Sequence, residues 1–143
     1  MAGMTKLGIA ELQDYVGQIF PQVAPLGLRV HRLDDDGIDV RQTVKPEHLR
    51  PGGTVSGPTL MGLADVAFYM LLLSRIGPVP LAVTTSLNIN FLSKAGADKD
   101  LRAVARLLKL GKKLAVGEVS LFSGENQQPA AHVTMTYSIP QSA

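Results

Sequence analysis

One long apolar stretch, SGPTLMGLADVAFYMLLLS from Ser56 to Ser74, constrains the fold more than any other feature of this chain. Pro58 suits the first helical turn and Ser56 or Gly57 suits the cap before it, so the stretch predicts a helix over 56–76 that ends near the glycine–proline pair 77–78. The helix is apolar nearly all round, which is typical of a helix enclosed by other structure. Its one charged side chain before position 75 is Asp65.

The pattern on either side of this central helix predicts the rest of the fold. Apolar residues at helical spacing predict an N-terminal helix within 1–25, closed by prolines 21 and 25. Alternating apolar and polar residues predict a hairpin over 28–44 around an acidic turn. The same alternation predicts four later strands, over 79–92, 101–110, 113–122 and 131–139. Together these elements predict a single α+β domain over 1–143, with a curved antiparallel sheet around the central helix.

Composition excludes several classes of function. The chain has no cysteine, which rules out disulfides, thiolate nucleophiles and cysteine-ligated zinc. Its net charge is only +2 and its aromatic content 5%, unlike a nucleic-acid binder with a basic, aromatic-rich surface. Glu11 and Asp14 interrupt the first apolar pattern, and the run 58–74 is short for a membrane span and carries Asp65. We therefore expect a soluble, cytoplasmic protein without a metal or other cofactor.

Asp65 is the first candidate for chemistry. A carboxylate inside an apolar helix has to be paired, hydrogen-bonded, protonated or exposed at an opening. One interpretation is structural, in which the buried Asp65 accepts hydrogen bonds from loop amides. The other is functional, in which Asp65 is a general base or a nucleophile tuned by its surroundings. The spacing of residues alone favours neither.

The second candidate is the glycine-rich junction GGTVSGP before the helix. The first amides of a helix have no partner within it and attract negative charge, so the Gly57 N–H could form an oxyanion hole. Taken alone, the same residues favour an ordinary loop-to-helix junction. Asp65 lies about two turns further on, roughly 10–12 Å away along the helix. That distance is long for one small reacting group, so the two features together favour a site shared between subunits.

Three segments, in this order and spacing, resemble the hotdog-fold acyl-CoA thioesterases of the phenylacetate-pathway (PaaI-like) type. They are the pattern G-x-x-[HS]-G-x-x-x-x-x-x-x-D from Gly53 to Asp65, the strand TTSLNINFLSKA at 84–95, and ARLLKLGKKLAVGEVSLF at 105–122. The resemblance covers about 28–139. It implies a hotdog fold, a homodimer or dimer of dimers, and hydrolysis of an acyl-CoA thioester.

The resemblance also implies residue roles. Asp65 would attack the thioester or activate water, and the Gly57 amide would bind the developing oxyanion. Thr84 stands where the family often has a Ser or Thr that positions the water. Ser56 and Gly57 would act with Asp65 across the dimer interface.

Three positions depart from the family pattern. Arg50, Ser56 and Pro58 stand where the family often has Asn, His and Gly, respectively. Ser56 can still donate one hydrogen bond, whereas Pro58 removes a donor. Arg50 could supply a positive charge, or it could pair with Asp65. The departures make the fold a firmer expectation than the activity, and they allow a substrate other than the usual aryl-acetyl group of the family.

Other residues are weaker candidates for binding substrate or CoA. They are His48, Ser86, Arg106, Lys109, Lys112 and Lys113. The resemblance implies that the basic residues hold the CoA phosphates near an edge turn, although a solvated polar face accounts for them equally well. His48 either lines the mouth of the site or is a solvated loop residue.

Two other functions remain open at this level. The first is a non-catalytic hotdog domain that binds or senses acyl-CoA. The missing Asn and His favour it, whereas Asp65 argues against it, because a pure binder gains little from burying an acid. The second is a hotdog hydratase or dehydratase, which needs a histidine working with an acid. His31, His48 and His132 are the histidines available, and none lies in a typical catalytic motif.

Overall fold

The computed structural model describes residues 7–141. Its helices are α1 (Ile9–Ile19) and α2 (Gly57–Ile76), and its strands are β1 (Leu28–Asp34), β2 (Gly37–Gln42), β3 (Val83–Phe91), β4 (Leu101–Leu110), β5 (Leu114–Ser123) and β6 (Ala131–Ser138). The strands form one sheet in the order β1-β2-β4-β5-β6-β3, with every neighbouring pair antiparallel. The sheet curves around α2, which confirms the predicted α+β hotdog fold.

The N-terminal helix is shorter than predicted. It ends at Ile19, and Pro21–Leu26 forms a 3₁₀ segment instead, because the two prolines in this segment lack the N–H groups that would continue an α-helix. The part of the prediction that falls on residues 1–6 lies outside the described residues. The strand after α2 begins at Val83 rather than at 79, and the loop after β2 contains a short 3₁₀ turn, Pro46–His48.

The central helix begins and ends almost as predicted. Ser56 is its N-cap, since the Ser56 Oγ accepts a hydrogen bond from the Thr59 N–H at 3.3 Å. Gly77 follows the last residue. The helix has 20 residues, so its length and composition would allow it to span a membrane. The argument that the run 58–74 is too short for a membrane span therefore does not hold. However, 72% of its apolar window is buried inside the domain, which accounts for the apolar composition as that of a core helix.

The contact between Phe68 and Gly117 sets how closely α2 lies on the sheet. Phe68 is fully buried and faces β5. A Cβ on Gly117 would lie 2.1 Å from Phe68 Cε1 and 2.5 Å from the Arg106 carbonyl oxygen, so only glycine leaves room for the ring. Asp65 precedes Phe68 by about one helical turn. The distance between α2 and the sheet, which the Phe68–Gly117 contact sets, therefore also sets how close the Asp65 carboxylate lies to the sheet.

Strand β3 is an open edge of the sheet. It pairs with β6 on one side, with Thr84 opposite Tyr137 and Ser86 opposite Thr136 across an irregularity at position 85. The Tyr137 side chain is buried on the face of the sheet that covers α2, while the neighbouring Thr136 faces outward. Thr84 therefore faces α2, whereas Ser86 faces the outer side of the sheet.

Candidate active site

The Asp65 carboxylate is held by two hydroxyl groups from the sheet. Thr84 Oγ1 on β3 donates a hydrogen bond to Asp65 Oδ1 at 2.5 Å, and the Tyr137 hydroxyl on β6 donates to the same oxygen at 2.8 Å. The Tyr137 hydroxyl also lies 3.2 Å from the Asp65 carbonyl oxygen. Asp65 is partly buried at the wall of a pocket, so its carboxylate is both hydrogen-bonded and open to a ligand. We call Asp65, Thr84 and Tyr137 the carboxylate cluster.

Tyr137 remains a hydrogen-bond donor in this environment. Its side chain is only 3% exposed, and this burial raises the pKa of the Tyr137 phenol well above its ordinary value. The negative charge of Asp65 acts in the same direction. The phenol therefore keeps its proton and donates it in the hydrogen bond to the Asp65 carboxylate.

The pocket beside the carboxylate cluster has a volume of about 320 Å³. Apolar side chains form much of its wall: Ile19 at the end of α1, Phe20 directly after it, Val66 from α2, Ala82 directly before β3, and Val83 at the start of β3. Pockets of this size with an apolar wall and a few convergent polar groups are typical of small-molecule sites. This one can hold an apolar group against the carboxylate.

The glycine junction opens into a different pocket, of about 340 Å³, which we call the glycine pocket. Arg50, Gly57, Phe91 and Lys94 contribute to it. A Cβ on Gly57 would lie 3.1 Å from the tip of the Phe91 ring, so glycine permits this close approach. Arg50 lies in this pocket rather than beside Asp65 in the same chain, so their predicted pairing is not seen within one chain.

The capping hydroxyl of Ser56 is already engaged. Thr59 Oγ1 donates to the His48 carbonyl oxygen at 3.3 Å, so the Ser56 hydroxyl, 2.8 Å away, donates to Thr59 Oγ1 while its oxygen caps the helix. The Ser56 proton is therefore not free to replace the polarising side chain that the family often has there. Pro58 lies in the first turn of α2. Within the first turn, the Thr59 and Leu60 N–H groups donate to Ser56 and Pro58 has no N–H, so Gly57 supplies the first-turn amide available to the glycine pocket.

His48 supports the helix N-terminus rather than the pocket mouth. It is 6% exposed, so the interpretation as a solvated loop residue is wrong. The Lys45 N–H donates to His48 Nδ1 at 3.0 Å, and the His48 carbonyl oxygen accepts from the Ser56 N–H at 2.9 Å. The imidazole also lies near the buried Gln42 amide. These contacts hold the loop that leads into α2.

The remaining binding candidates lie away from the carboxylate cluster in one chain. Ser86 faces the outer side of the sheet, so it does not contact a ligand beside Asp65 of its own chain. Arg106, on β4, pairs with Glu118 at 3.3 Å. Lys109 lies near the end of β4, and Lys112 and Lys113 lie in the turn before β5, all three exposed. Their role toward phosphate stays a prediction.

None of the three histidines lies in the carboxylate cluster. His48 is enclosed in the loop before α2, and His132 lies 3.8 Å from Glu118 on the outer side of the sheet. His31 is exposed on the edge strand β1. A histidine paired with Asp65 within one chain, as a hydratase would need, is therefore absent from residues 7–141.

Sequence reasoning missed Tyr137 as a site residue. The alternation of β6 places it on the buried face beside Val133 and Met135, and core packing was the simplest interpretation. One signal was available, because a buried tyrosine hydroxyl needs a hydrogen-bond partner. That partner is Asp65, and only the pairing of β3 with β6 around α2 brings the two together.

The buried phenol makes stability sensitive to alkaline pH. Because the folded-state pKa of Tyr137 is raised above the ordinary value of 10.0, its stabilising contribution is complete below pH 10 and is lost as the pH rises further. We expect the free energy of unfolding to fall by about 1.4 kcal/mol more per pH unit above pH 10 in the wild type than in Tyr137→Phe. Denaturant unfolding between about pH 9 and pH 11 measures this. Equal slopes would contradict it.

Residues 52–130 match the family model of the thioesterase superfamily. The chain belongs to the thioesterase superfamily. A crystal structure of a protein from Silicibacter sp. TM1040, described as a thioesterase, is 42% identical, with 99% of this chain and 97% of that chain covered and a TM-score of 0.90. A variant of the phenylacetic acid degradation protein PaaI from Thermus thermophilus is 30% identical, with coverage of 84% and 99% and a TM-score of 0.74. These likenesses confirm the predicted family.

A Pseudomonas aeruginosa protein that carries the name of an esterase is 36% identical over 83 residues. The match spans 57% of this chain and 61% of that protein. Family membership and these relatives support thioester hydrolysis in general.

Proposed function

We propose that this chain hydrolyses an acyl-CoA thioester to the free acid and CoA. The observation that carries the proposal is the Asp65 carboxylate at the wall of a pocket whose lining is part apolar and part polar, with Oδ1 held by two hydroxyl donors. Oδ2 accepts no hydrogen bond from residues 7–141 and is the oxygen left for substrate or water. An acyl group in the pocket would present its thioester carbonyl to this oxygen.

The proposed chemistry uses water, substrate and groups of this chain. As a general base, Asp65 takes a proton from a water molecule as the water oxygen attacks the thioester carbonyl carbon. The tetrahedral oxyanion is stabilised by the Gly57 N–H of a second copy of the chain, the C–S bond breaks, and the proton passes to the CoA sulfur. As a nucleophile, Asp65 would instead displace the CoA thiolate to form a mixed anhydride, and the water that cleaves the anhydride would supply the proton of the thiolate. We place this activity in the cytoplasm.

A homodimer through β3 would complete the site. Apolar side chains on and beside this open edge are more than half exposed: Leu81, Val83, Phe91 and Leu92. An exposed edge strand with apolar side chains is a template for pairing with another chain. We propose that two copies pair through β3 about a two-fold axis, as a dimer or within a dimer of dimers.

The positions of the two pockets along β3 support this arrangement. Thr84, in the carboxylate cluster, lies near the start of the strand, and Phe91, in the glycine pocket, lies at its end. These positions are about 23 Å apart along a strand. Antiparallel pairing of two β3 strands brings the start of one beside the end of the other. The carboxylate cluster of one copy would then lie next to the glycine pocket of its partner, which resolves the separation of Asp65 and Gly57 along α2.

Lysine substitutions on the exposed edge of β3 test whether the active site is shared between two copies. Ser86 and Asn88 are exposed near the middle of β3 and point outward, so lysines there cost a single chain little. About a two-fold axis the same lysines face each other, and like charges across paired strands are destabilising. We expect Ser86→Lys/Asn88→Lys to become monomeric by sedimentation and to lose at least about tenfold in hydrolysis, since a catalytic group misplaced by even 1 Å can cost about 10²-fold.

Thr134→Lys is the matched control, because it adds a lysine on the outer face of β6, opposite Asn88 but away from the edge. It should keep both the dimer and the activity. A monomeric edge variant with full activity would show that the site is complete in one chain. An edge variant that stays dimeric would place the interface elsewhere.

Thiol release from a panel of short, medium, long-chain and aryl acyl-CoAs tests the function itself. Turnover of at least one member is the expected result, and the panel identifies the acyl group. Binding of acyl-CoA without thiol release would favour the alternative, a sensing domain, which the engaged Ser56 hydroxyl already motivates. In that case the basic residues and Arg50 would serve binding alone.

A further inference from the structure

We infer that Tyr137 is a positioning residue that fixes the Asp65 carboxylate so that Oδ2 faces the pocket. The inference rests on the proposed hydrolysis and assigns a role to a residue that neither the motif nor the family resemblance pointed to. Three observations carry it: the geometry of the hydroxyl, the packing of the ring, and the strand from which the residue comes.

The hydroxyl of Tyr137 lies closest to one carboxylate oxygen of Asp65. The Tyr137 hydroxyl lies 2.8 Å from Asp65 Oδ1 and 3.2 Å from the carbonyl oxygen of the same residue. The phenol has a single proton, which it donates to Oδ1, the nearer of these two acceptors. Thr84 donates to the same Oδ1 at 2.5 Å, so the rotation that would exchange the two carboxylate oxygens breaks two hydrogen bonds. Charge-assisted hydrogen bonds of this kind are roughly twice as strong as neutral ones.

The ring of Tyr137 is itself immobilised by the core. Its centroid lies 5.4 Å from that of Phe68 and 6.1 Å from that of Tyr69, and both of these residues belong to α2. Phe68 is in turn fixed against Gly117. The hydroxyl position is therefore set by close packing between the helix and the sheet, which changes little when a ligand enters.

Tyr137 and Thr84 differ in how firmly they are supported. Thr84 lies on the edge strand β3, which the proposed dimer covers, whereas Tyr137 lies on β6, paired on both sides by β5 and β3. Tyr137 is thus the donor whose position does not depend on a second copy. It orients the carboxylate before substrate or partner arrives, and pre-orientation of this kind lowers the barrier in the reacting complex.

Tyr137→Phe tests the inference, since it keeps the ring and removes only the hydroxyl. We expect kcat for thiol release to fall by about 10- to 100-fold, while KM changes by less than about threefold, because the pocket wall is retained. In the Asp65→Asn background the same change should have no further effect, since the two residues act as one unit. A merely structural role would not produce this division between kcat and KM.

Ser74→Ala is the matched control. Ser74 is a fully buried residue of α2 that does not line the pocket; its hydroxyl donates to the Leu71 carbonyl oxygen at 2.6 Å and accepts from the Arg75 guanidinium at 3.2 Å. It should lower the melting temperature comparably and leave kcat unchanged.

The outcomes separate the two proposals. If Asp65→Asn is inactive while Tyr137→Phe keeps the wild-type kcat, the positioning role is overturned and the hydrolysis stands. If Asp65→Asn itself retains activity, the proposed function fails at Asp65. A Tyr137→Phe variant with raised KM and unchanged kcat would make Tyr137 a ligand contact and overturn positioning. A fall in kcat that Ser74→Ala reproduces would assign the loss to general destabilisation and overturn it as well.

Discussion

Asp65→Asn is expected to lower kcat for thioester hydrolysis by about 10²- to 10⁴-fold, the usual contribution of a positioned acid–base group. The amide is nearly isosteric with the carboxylate but neither accepts a proton from water nor attacks a carbonyl. Thiol release from whichever acyl-CoA the wild type hydrolyses best measures the loss. The effect should fall on kcat more than on KM, since the pocket wall is unchanged.

The structure makes this substitution a clean test. The new side chain keeps an amide oxygen that can accept from the Thr84 and Tyr137 hydroxyls, so the variant should fold and melt near the wild-type temperature. Asp100→Asn is the matched control, because Asp100 is an exposed carboxylate paired with Arg29 at 2.7 Å on the β1 side of the sheet. It should be fully active. Wild-type kcat in Asp65→Asn would refute the assignment of Asp65.

Phe68→Ala is expected to cost about 3–5 kcal/mol of folding free energy, the range for an aromatic side chain removed from a packed core. Phe68 is fully buried, and Gly117 leaves an opening in the sheet for its ring. Alanine cannot fill that opening, and the backbone on both sides limits collapse. For a domain of this size the loss corresponds to a fall in melting temperature of roughly 10 °C or more.

Phe122→Ala is the control for this prediction. Phe122 lies on the same strand as Gly117 but on the outer face, where the Arg102 guanidinium lies 4.4 Å from its ring centroid. Its removal should cost about 1 kcal/mol, because a partly exposed cation–π contact contributes little more than that. Denaturant unfolding with equal losses for the two variants would contradict the role of the Phe68–Gly117 contact.

The fold was largely predictable because its signals are local. Ser56 and Pro58 marked the start of the central helix, and β4, Leu101–Leu110, has the predicted ends. The errors in the predicted ends lie next to prolines, whose nitrogen has no hydrogen to donate in a helix or between strands. The first helix ends earlier than predicted, at Ile19, and the strand after α2 begins later than predicted, at Val83.

The site was predictable only in part. No local sequence pattern indicates that His48 is buried. It is buried because its loop is held against the N-terminus of α2 by backbone hydrogen bonds. The alternation of apolar and polar residues indicates that Ser86 lies in a strand, but it does not say which face of the sheet Ser86 occupies. That face depends on the pairing of β3 with β6 and on the irregularity at position 85. One residue of register decides whether such a side chain faces α2 or the outside.

The sequence by itself determined the central helix, its lone carboxylate and the glycine that begins it, because capping, apolar periodicity and the cost of a buried charge act within one short segment. Only the tertiary structure decided what surrounds that carboxylate. Thr84 and Tyr137 come from strands that follow α2 at very different distances along the chain, and they meet at Asp65 Oδ1 because β3 pairs with β6 in one register while Phe68 seats the helix against Gly117. Long-range pairing and close packing set those positions, and neither leaves a local trace in the residues that they bring together.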